Sequence, residues 1–543
     1  MRAAAVVAAI AAVLALIACS RTAHRPPCPS GALCLLLGNG AEPGTLDPAH
    51  ALGVWEAAII NQMLVPLVER DADGRLVPGL AESWSVSPDG LEWTFHLRKA
   101  DWSDGTPVTA DDVVFAIQRQ VDPKTGSQGA FMLYPVKNAE AVSEGKLPVS
   151  ALGVGAPDPR TVVIRLERPW LSLPLYADSR SFQAVPRAAV ERWGDDWTKP
   201  EHFLSDGPYR LESWLLGDKV VLRRNTRFYD AGHVCFAELD FFPLPDASSN
   251  ERRVRSGELD VSSTVQSNRV SYLRRSGLAN FLRLAPEFGS YYLTFNLSVP
   301  ALRDLRVRQA LAMSVDRRFI TDKLLRGGET PALNFVPPGL PGYPRGAAPY
   351  WADWSFAQRQ GEARRLLAAA GYRPTHRLRL TITVMNSADP LVFAPSVQAD
   401  WRAVGVDAQL EQNDVQVAYQ QFELHDFQVG FAGWLSPDPI NYLDLLRSDV
   451  GAQNFGGYSN PRYDAELTAA RSTTDPAVYA AHLLRAEQIM MADMPVAPLY
   501  RPSSRTLVDP DITGWVDKPF SSHAAIWLCR LPRTTPDLGA AAS

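Results

Sequence analysis

The segment that most constrains this chain is its beginning. Met1-Arg2 precedes an unbroken apolar run from Ala3 to Ala18, which stops at Cys19. One positive charge and about sixteen apolar residues fit a secretory signal peptide, because a membrane-spanning helix needs about twenty. No other stretch approaches that length without a charge, so no second span is expected. The body of the protein is therefore expected to fold outside the cytoplasm.

The end of the run, Leu16-Ile17-Ala18-Cys19, resembles the bacterial lipoprotein box, in which cleavage precedes the Cys and its sulfur carries a diacylglycerol. On that reading residues 1–18 are a signal peptide, Cys19 is lipidated, and the Pro-rich residues 19–33 tether the body to a membrane. The alternative is an ordinary signal peptide with an incidental Cys. An oxidising compartment favours pairing the four remaining cysteines. Cys28 and Cys34 flank Pro29-Ser30-Gly31, a turn sequence that could bring them together. So small a loop would stabilise by about 2 kcal/mol. Cys235 and Cys529 then remain as a long-range pair, with four free buried thiols as the alternative. No Cys-x-x-Cys occurs, which argues against a thiol oxidoreductase or a zinc ribbon.

At roughly 150 residues per domain, 543 residues make three or four units. The formal charge of −5, with no basic block, argues against nucleic acid, which demands clustered Lys and Arg. Fourteen Trp are more than a core of this size needs, so some are candidates for a binding surface. Residues 33–37 read as a short buried strand, and residues 67–77 as a hairpin turning at Asp71-Ala72-Asp73-Gly74. Trp93, Phe95 and Leu97 alternate along a strand, and Thr109 caps a helix running to about Gln120. The second half alternates helices (305–325, 362–370, near 396–403, 475–494) with strands (378–384, 406–410, 427–434). That rhythm predicts an α/β lobe with a largely parallel sheet.

The chain offers no positive case for catalysis. Ser143-Glu144-Gly145-Lys146 and Lys124-Thr125-Gly126 mimic two motifs of penicilloyl-serine enzymes, but their order is reversed. His-Glu-x-x-His, Gly-x-Ser-x-Gly and a P-loop are all missing from the sequence, and no metal or cofactor is expected.

A series of segments is more informative. It begins with Thr45-Leu46-Asp47-Pro48, Pro78-Gly79-Leu80-Ala81-Glu82-Ser83-Trp84 and Trp93-Thr94-Phe95-His96-Leu97-Arg98. It continues through the run from Trp102 to Asp112, Asp206-Gly207-Pro208-Tyr209 and Ser256-Gly257-Glu258-Leu259-Asp260. Arg306-Val307-Arg308-Gln309-Ala310-Leu311, Asp316-Arg317 and Ala432-Gly433-Trp434 complete it. In this order, over residues 36–530, the chain resembles the extracytoplasmic solute-binding proteins of ABC peptide importers (solute-binding family 5, oligopeptide- and dipeptide-binding type).

The resemblance implies an α/β, two-lobed, type II periplasmic-binding-protein clamshell with an additional inserted domain. Lobe I would take residues 34–65, 161–249 and 498–530, the insert 66–160, lobe II 250–497, and a tail 531–543. It also implies that Cys235 and Cys529 share a lobe. The implied activity is that of a non-catalytic, monomeric receptor. It would capture an oligopeptide or peptide-like solute, deliver it to ABC permease subunits, and touch the membrane through its lipid alone. The implied ligand strands are Leu52-Gly53-Val54 and Gly433-Trp434-Leu435, which satisfy a peptide backbone with main-chain groups. Tyr134, Trp401, Trp434 and Tyr500 resemble pocket aromatics, with core packing as the alternative.

Two departures stand out. Pro437 occupies the place where typical peptide binders of the family carry an Asp for the ligand's α-ammonium, and Asp438 is the candidate substitute. Phe431 stands where some members carry an Arg for a carboxylate. A buried ammonium without a partner costs several kcal/mol. Modified peptides, glycosides or metal chelates are therefore alternative solutes.

Overall fold

The computed structural model describes residues 28, 32–51, 53–343, 345–519 and 523–531. The expected signal peptide, Cys19, most of the expected tether, Leu52 and the tail beyond residue 531 lie outside them.

The apolar strand Cys34–Gly38 pairs in parallel with Glu238–Phe242, and Lys219–Arg224 and Tyr209–Leu215 continue the sheet antiparallel. A second sheet, antiparallel throughout, runs Ala81–Val86, Glu92–Leu97, Thr161–Arg165, Val154–Asp158. It therefore extends past residue 160. Trp93, Phe95 and Leu97 alternate inward on it, as period-2 patterning requires. The helix Ala110–Val121 packs against it, and the Asp112 carboxylate accepts the Thr109 N–H (2.9 Å) at its first turn.

The third sheet has six strands, in the order Thr330–Pro331, Val496–Arg501, Gly289–Phe295, Val429–Leu435, Leu378–Met385, Val406–Asn413. It is mixed, which corrects the expectation of a largely parallel sheet. Parallel pairing occurs where helices cross over: Leu378–Met385 reaches Val406–Asn413 through Ala388–Val404, and Val429–Leu435 follows through Val415–Glu423. Gly289–Phe295 and Val496–Arg501 carry the chain in from and back to the first lobe, so they run antiparallel to their neighbours.

Two large cores follow this division, one drawn from residues 35–261 and 508–528, the other from 292–500. A smaller core joins Cys34, Leu36 and Phe242 to Val254, Leu259, Val265 and Leu507. Residues 250–281, expected in lobe II, thus pack on the first lobe's sheet. Val261 bridges Leu37 and Val508 there, and the Asp260 carboxylate accepts the Leu36 N–H (2.9 Å) and pairs with Arg530. The crossing is made instead by the antiparallel strands Leu282–Pro286 and Ser503–Leu507.

Both expected cysteine pairs are disulfide-bonded. Cys235–Cys529 ties the end of the chain to the first lobe. Several of the sequence motifs prove to be braces as well. Asp47 accepts two bonds from Arg119 (3.1 and 2.7 Å) and one from the Trp197 indole (3.1 Å), fastening the insert to lobe I. Arg317, buried, donates to the carbonyls of Pro498 (2.7 Å), Ala332 (2.9 Å) and Ala312 (2.9 Å). No helix among the described residues is long and apolar enough to cross a membrane.

Candidate functional site

The strand Val429–Leu435 has two unlike edges. One is laddered along its whole length with Gly289–Phe295, from Phe295 opposite Val429 to Gly289 opposite Leu435. The other meets Leu378–Met385 only at Val429 and Gly430, and among the described residues no strand pairs with residues 431–435 on that side. An unpaired strand edge presents alternating N–H and C=O groups, a template on which an extended chain can add itself.

Side chains hold this edge in place. A Cβ on Gly433 would lie 2.9 Å from the Tyr291 ring, so Gly lets Tyr291 cover the strand. Tyr291 in turn stacks on Tyr500, with centroids 4.9 Å apart and planes 6° from parallel. Trp434 is half-buried with its indole N–H unpartnered, and Leu435 is 52% exposed. Phe431 points into the second core, edge-on to Phe393 (4.9 Å).

Past the open edge the chain turns. The Ser436 N–H donates to Phe288 O (3.2 Å), and Asp438 follows with none of its surface exposed. Its carboxylate accepts from the Tyr176 hydroxyl (3.3 Å) and the Ile440 N–H (3.2 Å). Tyr176 belongs to the first lobe, in the short helix Leu173–Tyr176, and it also accepts from Asn441 Nδ2 (2.8 Å). Burial pushes the Asp438 carboxyl up to about 6, against hydrogen bonds from Ser172 and Ile440 that favour its charge. Asp438 is thus engaged in a contact between lobes and has no exposed face for a ligand.

The other sequence candidates divide. Gly53 precedes the helix Val54–Met63, where its carbonyl accepts from Arg180 (3.2 Å), and Val54 is 76% exposed. Tyr134 is half-buried behind the turn Ala130–Leu133. Trp401 is corrected to a core residue: its side chain has no exposed surface and its indole donates to Leu311 O (3.1 Å). Tyr500 is likewise a core residue, 1% exposed, supporting Tyr291 from behind. Sequence reasoning missed Tyr176, Asn441 and Tyr291. Tyr176 lies in Leu171-Ser172-Leu173-Pro174-Leu175-Tyr176, an apolar run that reads only as packing. A separate cleft of about 490 Å³ lies farther along the seam, with Arg168 on one lobe and Arg447 and Arg471 on the other.

Residues 75–454 match the sequence profile of the bacterial extracellular solute-binding proteins, family 5 (middle). The chain belongs to this family. It is 34% identical over 483 residues to the periplasmic murein peptide-binding protein MppA of Escherichia coli K12, covering 87% of this chain and 88% of that one. It is 32% identical over 493 residues to the periplasmic oligopeptide-binding protein OppA of the same organism, covering 89% and 90%. The solved structure of MppA in its unliganded open form superposes with a TM-score of 0.83 at 32% identity, covering 92% of this chain and 99% of that one. The family-5 protein described here is an extracytoplasmic solute-binding protein and not an enzyme, with the two-lobed α/β fold and its extra domain.

Proposed function

We propose that this protein is the receptor of an ABC importer, capturing an oligopeptide or peptide-like solute between its lobes. The observation that carries this reading is the open edge of residues 431–435, whose backbone groups would pair with a peptide whatever its side chains. Ligand would draw the lobes together by binding the closed arrangement better than the open one. The closed form would then dock on permease subunits and release its cargo to them. Gly53 and Val54 would face the ligand from the first lobe, and Trp434 and Leu435 from the second.

Intrinsic Trp fluorescence titrated with a tri- to pentapeptide library tests the reading. Saturable changes are expected. A flat response to every peptide, with saturation by a sugar or a metal chelate, would transfer the site to the second reading, a non-peptide solute. Pro437 and Phe431 favour that second reading, since neither offers charge to a peptide terminus. Mass spectrometry of whatever co-purifies from the native host separates the two.

The membrane attachment is proposed to run through a lipid on Cys19. A Cys19→Ala variant should lose its partitioning into detergent. Unchanged partitioning would refute the anchor.

A further inference from the structure

Building on the peptide-receptor reading, we propose that Glu287 is the residue that selects ligands with a free ammonium group, and that Asp438 is not. The ladder between Gly289–Phe295 and Val429–Leu435 pairs Gly289 with Leu435, and the Ser436 N–H bond to Phe288 O (3.2 Å) carries the same register one step further. One residue further along the two strands stand Glu287 and Pro437. A carboxylate absent beyond the end of Val429–Leu435 is thus present beyond the end of the strand that closes its other edge.

The other carboxylates around this end are engaged. Asp438 accepts from Tyr176 and Ile440, Glu329 is paired with Arg505, and Asp389 accepts from Ser267 Oγ (3.1 Å). The Glu287 carboxylate makes no hydrogen bond or ion pair among the described residues, although its residue is half-buried. Burial pushes its carboxyl up, and the opposing charge of Arg505 only moderates this. A partly desolvated carboxylate without a partner gains most from a cation.

The position on the strand is also suitable. Glu287 is held by its backbone, its N–H donating to Pro502 O (3.0 Å) and its carbonyl accepting from Gly289 (2.8 Å). A peptide laid along residues 431–435 brings one terminus to this end of the edge. An α-ammonium arriving there meets Glu287, beyond Leu435, without disturbing the Asp438–Tyr176 contact.

The test uses the full mature chain and a mixed tri- to pentapeptide library, half of it N-acetylated, with retained members read by mass spectrometry. Wild type should retain the free-amine members preferentially. Glu287→Gln should bind them about thirtyfold or more weakly while its binding of acetylated members stays unchanged. Asp438→Asn should keep the preference. Three results overturn the proposal: equal retention of both halves by wild type, an unaltered preference in Glu287→Gln, or a preference lost only in Asp438→Asn. Retention of no peptide by wild type overturns the receptor reading and Glu287's role together. Matching thermal midpoints for wild type and Glu287→Gln show that a loss reflects recognition and not unfolding.

Discussion

The two edges of the strand Val429–Leu435 are made from the same residues, yet one is closed and the other open. Along the closed edge Gly289–Phe295 pairs through the whole length, and Tyr291, Gly433 and Tyr500 fit against each other in successive layers. Along the open edge Leu378–Met385 leaves after Gly430. The difference teaches that the strand is fixed from one side so that the other can remain unpaired. A free edge in a stable protein needs such support, because an unsupported one slips in register or pairs with a second copy.

Gly433→Val attacks the closed edge and should have the largest effect. Its side chain enters the space of the Tyr291 ring. We expect a loss of about 1–3 kcal/mol in stability from overpacking, with ligand binding abolished. Urea denaturation and fluorescence titration check both parts.

Asp438→Asn probes what lies beyond the end of both edges. Burial raises the folded carboxyl from its ordinary 3.8 to about 6. Folding therefore takes up a proton between those values, and this group's contribution to stability falls as pH rises from about 4 to about 6. Above that range the penalty persists. The variant should gain on wild type by something on the order of 2 kcal/mol between pH 4 and pH 7. A pH-independent difference in urea midpoints would remove the buried, charged Asp438 from the account.

Tyr176→Phe should be milder. It deletes a hydroxyl that donates to Asp438 and accepts from Asn441. About 1 kcal/mol is expected from the lost bonds. Peptide preference should be unaltered, since this contact lies off the open edge, and the same denaturation and library measurements decide it.

Much of the fold was legible in the sequence because local chemistry determines it. Cys34–Gly38, Glu92–Leu97 and the capped helix Ala110–Val121 lie within a residue or so of where alternation and capping put them. The family segments were legible too, but as structure more than as site. Asp47, Asp260 and Arg317 are spread across the chain, and each satisfies backbone or side-chain groups far away in sequence.

The site was less legible. Trp401 and Tyr500 occupy periodic apolar positions, and sequence does not distinguish an aromatic facing a core from one facing a cleft. The open edge depends on where Leu378–Met385 parts from Val429–Leu435, a matter of packing between elements. Glu287 and Pro437 each lie just past the end of a ladder whose strands are separated by more than a hundred residues. No spacing rule reaches that far.

The central claim, that residues 431–435 offer an unpaired edge to an extended ligand, is tested most directly by amide hydrogen exchange with and without the peptide library. Amides in this segment that point away from Gly289–Phe295 should exchange readily in the free protein. With ligand at ten times its Kd they should slow about tenfold, while amides bonded to Gly289–Phe295 stay as they were. Equal protection of both sets before ligand is added, or no change on its addition when fluorescence shows saturation, would contradict the account.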